Sequence, residues 1–325
     1  MDGSRGFYHY RPDGARRVVN FPDETCRVHT YGNSFTHCDQ VSDGETWQEV
    51  LAAHLQDPIR NFGIGGYSVY QAYRRMRKVE PVTGAEYIVL NVWDDDHFRN
   101  LDAWRSIRSG RRGRFTLSYL RVDAQNGWCE EVDNICRTPE EVYRLCDREF
   151  VRETYREDPV LRAVLARKAG AGVSAEAVAV VAEGFGISVD QVADLEADEQ
   201  VVKLHTEAAL VATRSVLEQT EAFVRETGKR LMVILSFGRG HVAEALEGKP
   251  LFDQTFLDWL GRVDYPVIDL RDAFRAEYAL FKADIKTYLD RYYIGHHTPA
   301  GNFFFAWAIK DRICEWLDPA PLPYR

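Results

Sequence analysis

The segment Glu86–Trp93, EYIVLNVW, decides the fold class of this 325-residue chain. Its apolar side chains follow one another without the polar alternation of a strand that has one face in water. A continuous apolar run of this length is typical of a strand buried on both faces, as in a parallel sheet. The segment Arg230–Gly238, RLMVILSFG, has the same character. Together they predict the centre of a parallel sheet that helices cover on both sides.

Shorter strands and amphipathic helices alternate around these two segments. Further strands are predicted at Cys26–Gly32, Pro58–Ile64 and Asp264–Leu270. The predicted helices are Glu45–Leu55, Ser68–Val79, Ala209–Gly228 and the segment that follows Pro299. Alternation of this kind predicts right-handed βαβ units in a three-layer, doubly wound α/β fold with a mostly parallel sheet.

The spacing of the strands predicts an insertion. More than 100 residues separate the third and fourth predicted strands, which is far longer than an ordinary crossover. Residues 138–200 are rich in Glu, Arg and Ala, and they predict an inserted helical subdomain or lid. The expected organisation is an N-terminal arm at 1–25, an α/β domain made of 26–137 and 201–325, and the insertion at 138–200.

Composition excludes several classes of protein. The 41 Lys and Arg against 50 Asp and Glu give a formal net charge of −9, which argues against nucleic acid as a partner. No apolar run approaches the roughly 20 residues of a membrane span. The N-terminal segment lacks the apolar core of a signal peptide. Six scattered cysteines are too few for a disulfide scaffold, so we expect a cytoplasmic protein. Because no apolar run could span a membrane, we also expect that it does not bind one.

Polar motifs follow the ends of the predicted strands, where the ligands of such sheets bind. Ser34 lies in TYGNSFTHC after the first strand, and Gly66 lies in NFGIGGY after the second. His296 and His297 lie in IGHHTPAGN, just before the last helix. A nucleophilic serine needs an exposed position, a nearby base and N–H groups that face the developing oxyanion. Either histidine could be that base.

Four blocks, in their order along the chain, resemble the motifs of the SGNH (GDSL-type) hydrolase superfamily. The blocks are YGNSFT, NFGIGGY, LNVWDDDHFRN and IGHHTPAGN, and the resemblance covers roughly residues 26–100 and 205–315. It implies the flavodoxin-like SGNH hydrolase fold. It also implies a serine esterase that cleaves a carboxylic ester of a small molecule through an acyl-serine intermediate.

The resemblance implies a role for each matching residue. Ser34 would be the nucleophile and His296 the general base that takes its proton. The N–H groups of Ser34 and Gly66 would bind the oxyanion. In the third block, Asp95 or Trp93 occupies the place of the family's oxyanion asparagine, so Asn91 and Asp95 are the candidates for a further oxyanion group.

The fourth block departs from the family pattern at the residue that orients the histidine. Ile294 and Tyr293 occupy the positions where the family has an aspartate. Asp290, six residues before His296, is the candidate for the orienting group if the loop folds back, and a backbone carbonyl is the alternative. We expect no cofactor and no metal, and a homo-oligomer is possible.

Two other functions are compatible with the same motifs. A catalytically decayed member of the superfamily would act as a binding module. A metal-dependent hydrolase could instead use the His and Asp residues of the strand-end loops, since carboxylates and imidazoles bind divalent metals. These residues are His37, Asp39, Asp94, Asp95, Asp96, His97, His296 and His297, with Cys38 among them.

Overall fold

The computed structural model describes residues 5–110 and 116–324, and it confirms the α/β prediction. The seven strands of these residues are β1 (Val28–Tyr31), β2 (Ile59–Asn61), β3 (Tyr87–Trp93), β4 (Tyr119–Asp123), β5 (Trp128–Val132), β6 (Arg230–Ser236) and β7 (Val267–Asp269). All five predicted strands are present, each shorter than its apolar segment. The β4–β5 hairpin was not predicted.

The main sheet is parallel throughout and has the strand order β2-β1-β3-β6-β7. Its centre is the pair β3–β6, in which Tyr87 lies opposite Arg230 and Trp93 opposite Ser236. Every residue of β1 is buried, and so are six of the seven residues of β3. The chain runs outward from β1 to β2 and then returns to β3, so the direction of winding reverses between β1 and β3. A crevice at the carboxyl end of a sheet forms at such a reversal.

The helices are α1 (Ser34–His37), α2 (Trp47–Leu55), α3 (Val69–Val79), α4 (Asp96–Arg99), α5 (Arg105–Ser109), α6 (Arg148–Tyr155), α7 (Pro159–Lys168), α8 (Ala175–Phe185), α9 (Ala197–Glu226), α10 (Arg239–Leu246), α11 (Gln254–Leu260), α12 (Leu270–Tyr278), α13 (Ile285–Asp290) and α14 (Pro299–Trp316). The predicted helix after Pro299 begins at that proline, which suits a first helical position because it lacks an N–H.

Helices cover both faces of the sheet. Helix α2 joins β1 to β2, and α3 joins β2 back to β3, so right-handed crossovers place them on opposite faces. Helix α14 packs against α2, with the rings of Trp47 and Phe305 stacked at 4.7 Å between centroids. Tyr73 of α3 packs edge-on against Phe223, near the end of α9. This arrangement is compatible with a three-layer α/β fold.

The chain forms two compact units. One unit contains the main sheet and comprises the chain up to Asp96 and from Gln219 onward, and the other comprises His97–Glu218. The second unit contains the β4–β5 hairpin and helices α5 to α8. The predicted insertion at 138–200 therefore lies inside a larger unit, which begins about 40 residues earlier than the composition indicated.

Residues 5–25 of the N-terminal arm are irregular, apart from a single antiparallel bridge between Tyr10 and Arg16. Arg16 is almost fully buried, although most of its neighbours in the arm are exposed. The described helices include none that is both long enough and apolar enough to cross a membrane.

Candidate active site

Ser34 is the first residue of α1, directly beyond the carboxyl end of β1. The turn before it depends on Gly32, which has a φ of +153°. A Cβ atom at this position would lie 2.2 Å from the Thr36 hydroxyl and 2.8 Å from the backbone oxygen of Asn91. Only glycine fits there, so the close approach of α1 to β3 fixes where Ser34 stands.

The side chain of Asn33 caps α1 and ties it to the end of β3. Its oxygen accepts a hydrogen bond from the Phe35 N–H at 2.7 Å. Its amide nitrogen donates to Asp96 at 2.8 Å, and Asp96 also accepts from the Trp93 N–H at 3.2 Å. Asn33 and Asp96 are fully buried, so this network holds the residues around Ser34 rigidly.

The loop that carries His296 packs against the residue after Ser34. The rings of Phe35 and His296 lie 4.9 Å apart, and the Phe35 ring also stacks on Trp93 at 4.7 Å. His296 is partly exposed, whereas Ser34 is only 6% exposed, so the exposed position expected for the nucleophile is not found. The structure therefore brings together the two segments that contain the predicted nucleophile and the predicted base.

Gln40 forms hydrogen bonds with the loop that carries His296. Its side-chain oxygen lies 2.8 Å from the backbone nitrogen of His296 and 2.9 Å from the ring atom Nδ1 of the same residue. Its amide nitrogen donates to the Ile294 carbonyl at 3.3 Å. A glutamine three residues beyond the end of α1 thus holds the histidine loop through both ends of its amide group.

The adjacent His297 has a different environment. It is 4% exposed and packs among the rings of Phe35, Tyr293 and Phe305. Burial, together with the neighbouring His296, lowers the pKa of His297 to about 3. An imidazole that stays neutral in an apolar environment packs as part of the core, so His296 is the better placed of the two to exchange protons with a substrate.

The hydroxyl of Ser34 forms no hydrogen bond with any residue of 5–110 or 116–324, His296 included. The backbone N–H groups of Ser34 and Gly66 also have no acceptor among these residues. Gly66 is partly exposed and has a φ of +83°. Hydrogen bonds between catalytic groups commonly tighten only when substrate binds.

The two candidates for a further oxyanion group have different positions. Asn91 lies within β3 and is fully buried, and its amide nitrogen donates to the Thr36 hydroxyl at 3.1 Å. This bond holds the amide nitrogen of Asn91 against α1. Asp95 is partly exposed, and its backbone N–H donates to the Asp94 carboxylate at 2.7 Å.

Asp290, the candidate for the orienting group, lies at the end of α13 in two ion pairs. Its carboxylate contacts Lys286 at 2.8 Å and also pairs with Arg239, and these cations lower the pKa of the Asp290 carboxyl group. The group that the structure places at Nδ1 of His296 is Gln40. Sequence analysis missed Gln40 because no motif links residue 40 to residue 296.

Asp94 and His37 of the strand-end loops belong to two separate pairs, and Nδ1 of His97 lies 2.8 Å from the Thr213 hydroxyl. Asp94 accepts from Nδ1 of His241 at 2.6 Å and from the Gly238 N–H at 2.7 Å. Burial opposes protonation of His241, but the bond to Asp94 outweighs it and raises the pKa of that imidazole. His37 pairs with Asp39 and with the Tyr10 hydroxyl. In the described part of the chain, no three such side chains come together as a site that could hold a metal ion.

A comparison of the chain with protein-family models finds no match, and a comparison with curated proteins finds none either.

Proposed function

We propose that this protein is a serine hydrolase of the SGNH type that cleaves a carboxylic ester. The observation that carries the proposal is the contact of Phe35 and Gln40 with His296, because it joins the segment after β1 to the loop before α14. The winding of the sheet supports it as well, since Ser34 follows β1 and the crevice expected between β1 and β3 lies at this end.

In the proposed reaction, the Ser34 hydroxyl attacks the carbonyl carbon of the ester. Nε2 of His296 takes the hydroxyl proton and then donates it to the departing alcohol, which leaves an acyl group on Ser34. Water then attacks the acyl carbon while His296 takes a proton from it. His296 returns that proton to the Ser34 oxygen, and the carboxylic acid is released. The proposal requires the Ser34 hydroxyl and Nε2 of His296 to come within hydrogen-bond distance when the ester binds.

The tetrahedral intermediate carries a negative charge that needs hydrogen-bond donors. The N–H groups of Ser34 and Gly66 support the proposal because neither has an acceptor among the described residues. Loss of one such donor typically slows an enzyme by about 10²–10³-fold. Asn91 is a weaker choice, since its amide nitrogen is already bonded to Thr36.

Hydrolysis of p-nitrophenyl acetate tests the proposal. We expect Ser34→Ala to lower kcat/KM at least about 10³-fold, because it removes the nucleophile. His296→Gln should lower it by a similar factor. The matched control is His54→Gln on α2, whose imidazole has no hydrogen-bond partner among the described residues and which should keep wild-type activity.

Thermal melting of each variant must accompany the rates, so that a loss of activity is not confused with a loss of fold. Equal rates in the wild type and in a folded Ser34→Ala variant would remove Ser34 from the mechanism. Absence of esterase activity together with binding of small esters would favour the decayed binding module instead.

A further inference from the structure

We propose that Gln40 is the positioning residue of His296 and takes the place that the family pattern assigns to an aspartate. The inference rests on the proposed function for its catalytic meaning, but the contact itself can be measured without any activity. Gln40 lies far from the histidine in sequence and outside the four blocks, so no motif assigns it this role.

The backbone of His296 settles which end of the Gln40 amide faces it. A backbone N–H can only donate, so the side-chain atom 2.8 Å from it must be the oxygen Oε1. The other end of the amide then donates from Nε2 to the Ile294 carbonyl, which can only accept. Both ends of the amide form hydrogen bonds only in this orientation.

This orientation also fixes the tautomer of His296. Oε1 is an acceptor, so the ring atom Nδ1 at 2.9 Å must carry the proton that it donates. In the neutral ring, Nε2 then carries the lone pair of the imidazole. A general base for the Ser34 hydroxyl needs that tautomer, and a carboxylate at Nδ1 selects it in the same way in serine hydrolases.

The backbone around Gln40 is strained in a way that serves this contact. Gln40 has a φ of +75°, a region that disfavours any residue with a Cβ atom. The Tyr8 hydroxyl accepts from the Gln40 N–H at 2.5 Å and helps to hold it there. Gly295 has a φ of +111°, and a Cβ atom on it would lie 3.1 Å from Oε1 of Gln40. Strain of this kind persists where the surrounding contacts require it.

Gln40 differs from a carboxylate in one respect that an experiment can use. An amide oxygen selects the tautomer but carries no net charge, so it stabilises the imidazolium less than a carboxylate does. Gln40→Glu keeps an acceptor oxygen at Nδ1, adds the charge and gives up the bond to the Ile294 carbonyl. It should therefore raise the pKa of His296 above its value in the wild type.

The ionisable groups on the segments around His296 stay the same in this variant. They include His297 and Tyr293 of the same loop, Asp94 beyond β3, the His37–Asp39 pair that precedes Gln40, Tyr8 of the arm, and Asp290 with its two cations. A change in the titration of His296 can then be assigned to residue 40.

The test compares Gln40→Met, Gln40→Glu and the control Gln56→Met. Gln56 also has a positive φ, of +51°, but it is exposed at the end of α2. We expect Gln40→Met to lower kcat/KM for p-nitrophenyl acetate about 10²-fold, less than the roughly 10⁴-fold that a wrong tautomer costs. Gln40→Glu should stay within about tenfold of the wild type, with the acid limb of its pH profile about one unit higher. Gln56→Met should change neither.

The ¹⁵N chemical shifts of the His296 ring supply a readout that is independent of activity. In the wild type and in Ser34→Ala, Nδ1 should carry the proton, whereas Gln40→Met should show a mixture of tautomers. A wild-type ring protonated at Nε2, or an unchanged tautomer and rate in Gln40→Met, would overturn the proposal. If Ser34→Ala keeps full esterase activity while Nδ1 stays protonated, the proposed function fails but the positioning contact stands.

Discussion

Two adjacent histidines, His296 and His297, differ in exposure and in hydrogen bonding. His296 is partly exposed and bonded through Nδ1 to an amide oxygen, whereas His297 is sealed among aromatic rings. The sequence places both in one loop but does not indicate which of them is exposed. Burial decides between them, because desolvation disfavours the charged form.

At the level of single residues, the buried His297 predicts a loss of stability in acid. Its pKa is about 3 in the folded protein and about 6.5 in an unfolded chain. Between these values the unfolded chain binds a proton that the folded protein does not. The contribution of His297 to the free energy of unfolding is therefore complete above pH 6.5 and is lost as the pH decreases toward 3. From pH 7.5 to pH 5 this residue should lower the free energy of unfolding by about 2 kcal/mol.

Urea unfolding at the two pH values checks this expectation. His297→Gln should lose less stability than the wild type over this interval, and His54→Gln should follow the wild type. An identical pH dependence in the wild type and in His297→Gln would show that His297 is charged or exposed in the folded protein.

At the level of elements, the N-terminal arm supports the segment that follows α1. The buried guanidinium of Arg16 pairs with Asp43 at 2.9 Å and donates to the carbonyl groups of His37, Cys38 and Val41. This segment contains Gln40. The arm, which the sequence indicated only as an irregular covering, therefore contributes to the position of the histidine loop.

Arg16 and its neighbour Arg17 form a matched pair for a test of this support. Arg16 is 1% exposed, whereas Arg17 is exposed. A lysine cannot replace the planar set of donors of a guanidinium, so Arg16→Lys should lower the free energy of unfolding by about 3 kcal/mol and reduce esterase activity. Arg17→Lys should change the free energy of unfolding by less than about 0.5 kcal/mol. Equal stability of the two variants, measured by urea unfolding, would contradict a supporting role of the arm.

The main elements of the α/β unit could be predicted because their signals are local. The apolar runs at β3 and β6 and the proline at the start of α14 depend on neighbouring residues only. Gln40 and Arg16 could not be predicted, since their partners lie elsewhere in the fold. The β4–β5 hairpin was also missed, because β5 is largely exposed and Arg121 interrupts the apolar residues of β4, which leaves no apolar run.

At the level of the whole molecule, the six cysteines test the packing of the chain. None of them forms a disulfide. Burial raises the pKa of Cys26 to about 11 and that of Cys38 to about 12, whereas Cys146 is exposed. A thiol reagent should therefore react with Cys146 first and with Cys26 and Cys38 only on unfolding.

Timed labelling followed by peptide mass spectrometry measures this order of reaction. All six thiols should react in denaturant without prior reduction. Rapid labelling of Cys38 in the native protein would contradict the close packing behind α1, on which the position of Ser34 depends.

The fold brings an early segment and a late segment of the chain into contact, and the proposed chemistry depends on that contact. Labelling with a fluorophosphonate, which reacts with activated serine hydroxyls, tests it most directly. We expect peptide mass spectrometry to find the adduct on Ser34 in the wild type, no adduct in Ser34→Ala, and labelling slowed at least about 10²-fold in His296→Gln. An unlabelled Ser34 in the folded wild type, or labelling that is as fast in His296→Gln, would contradict the account.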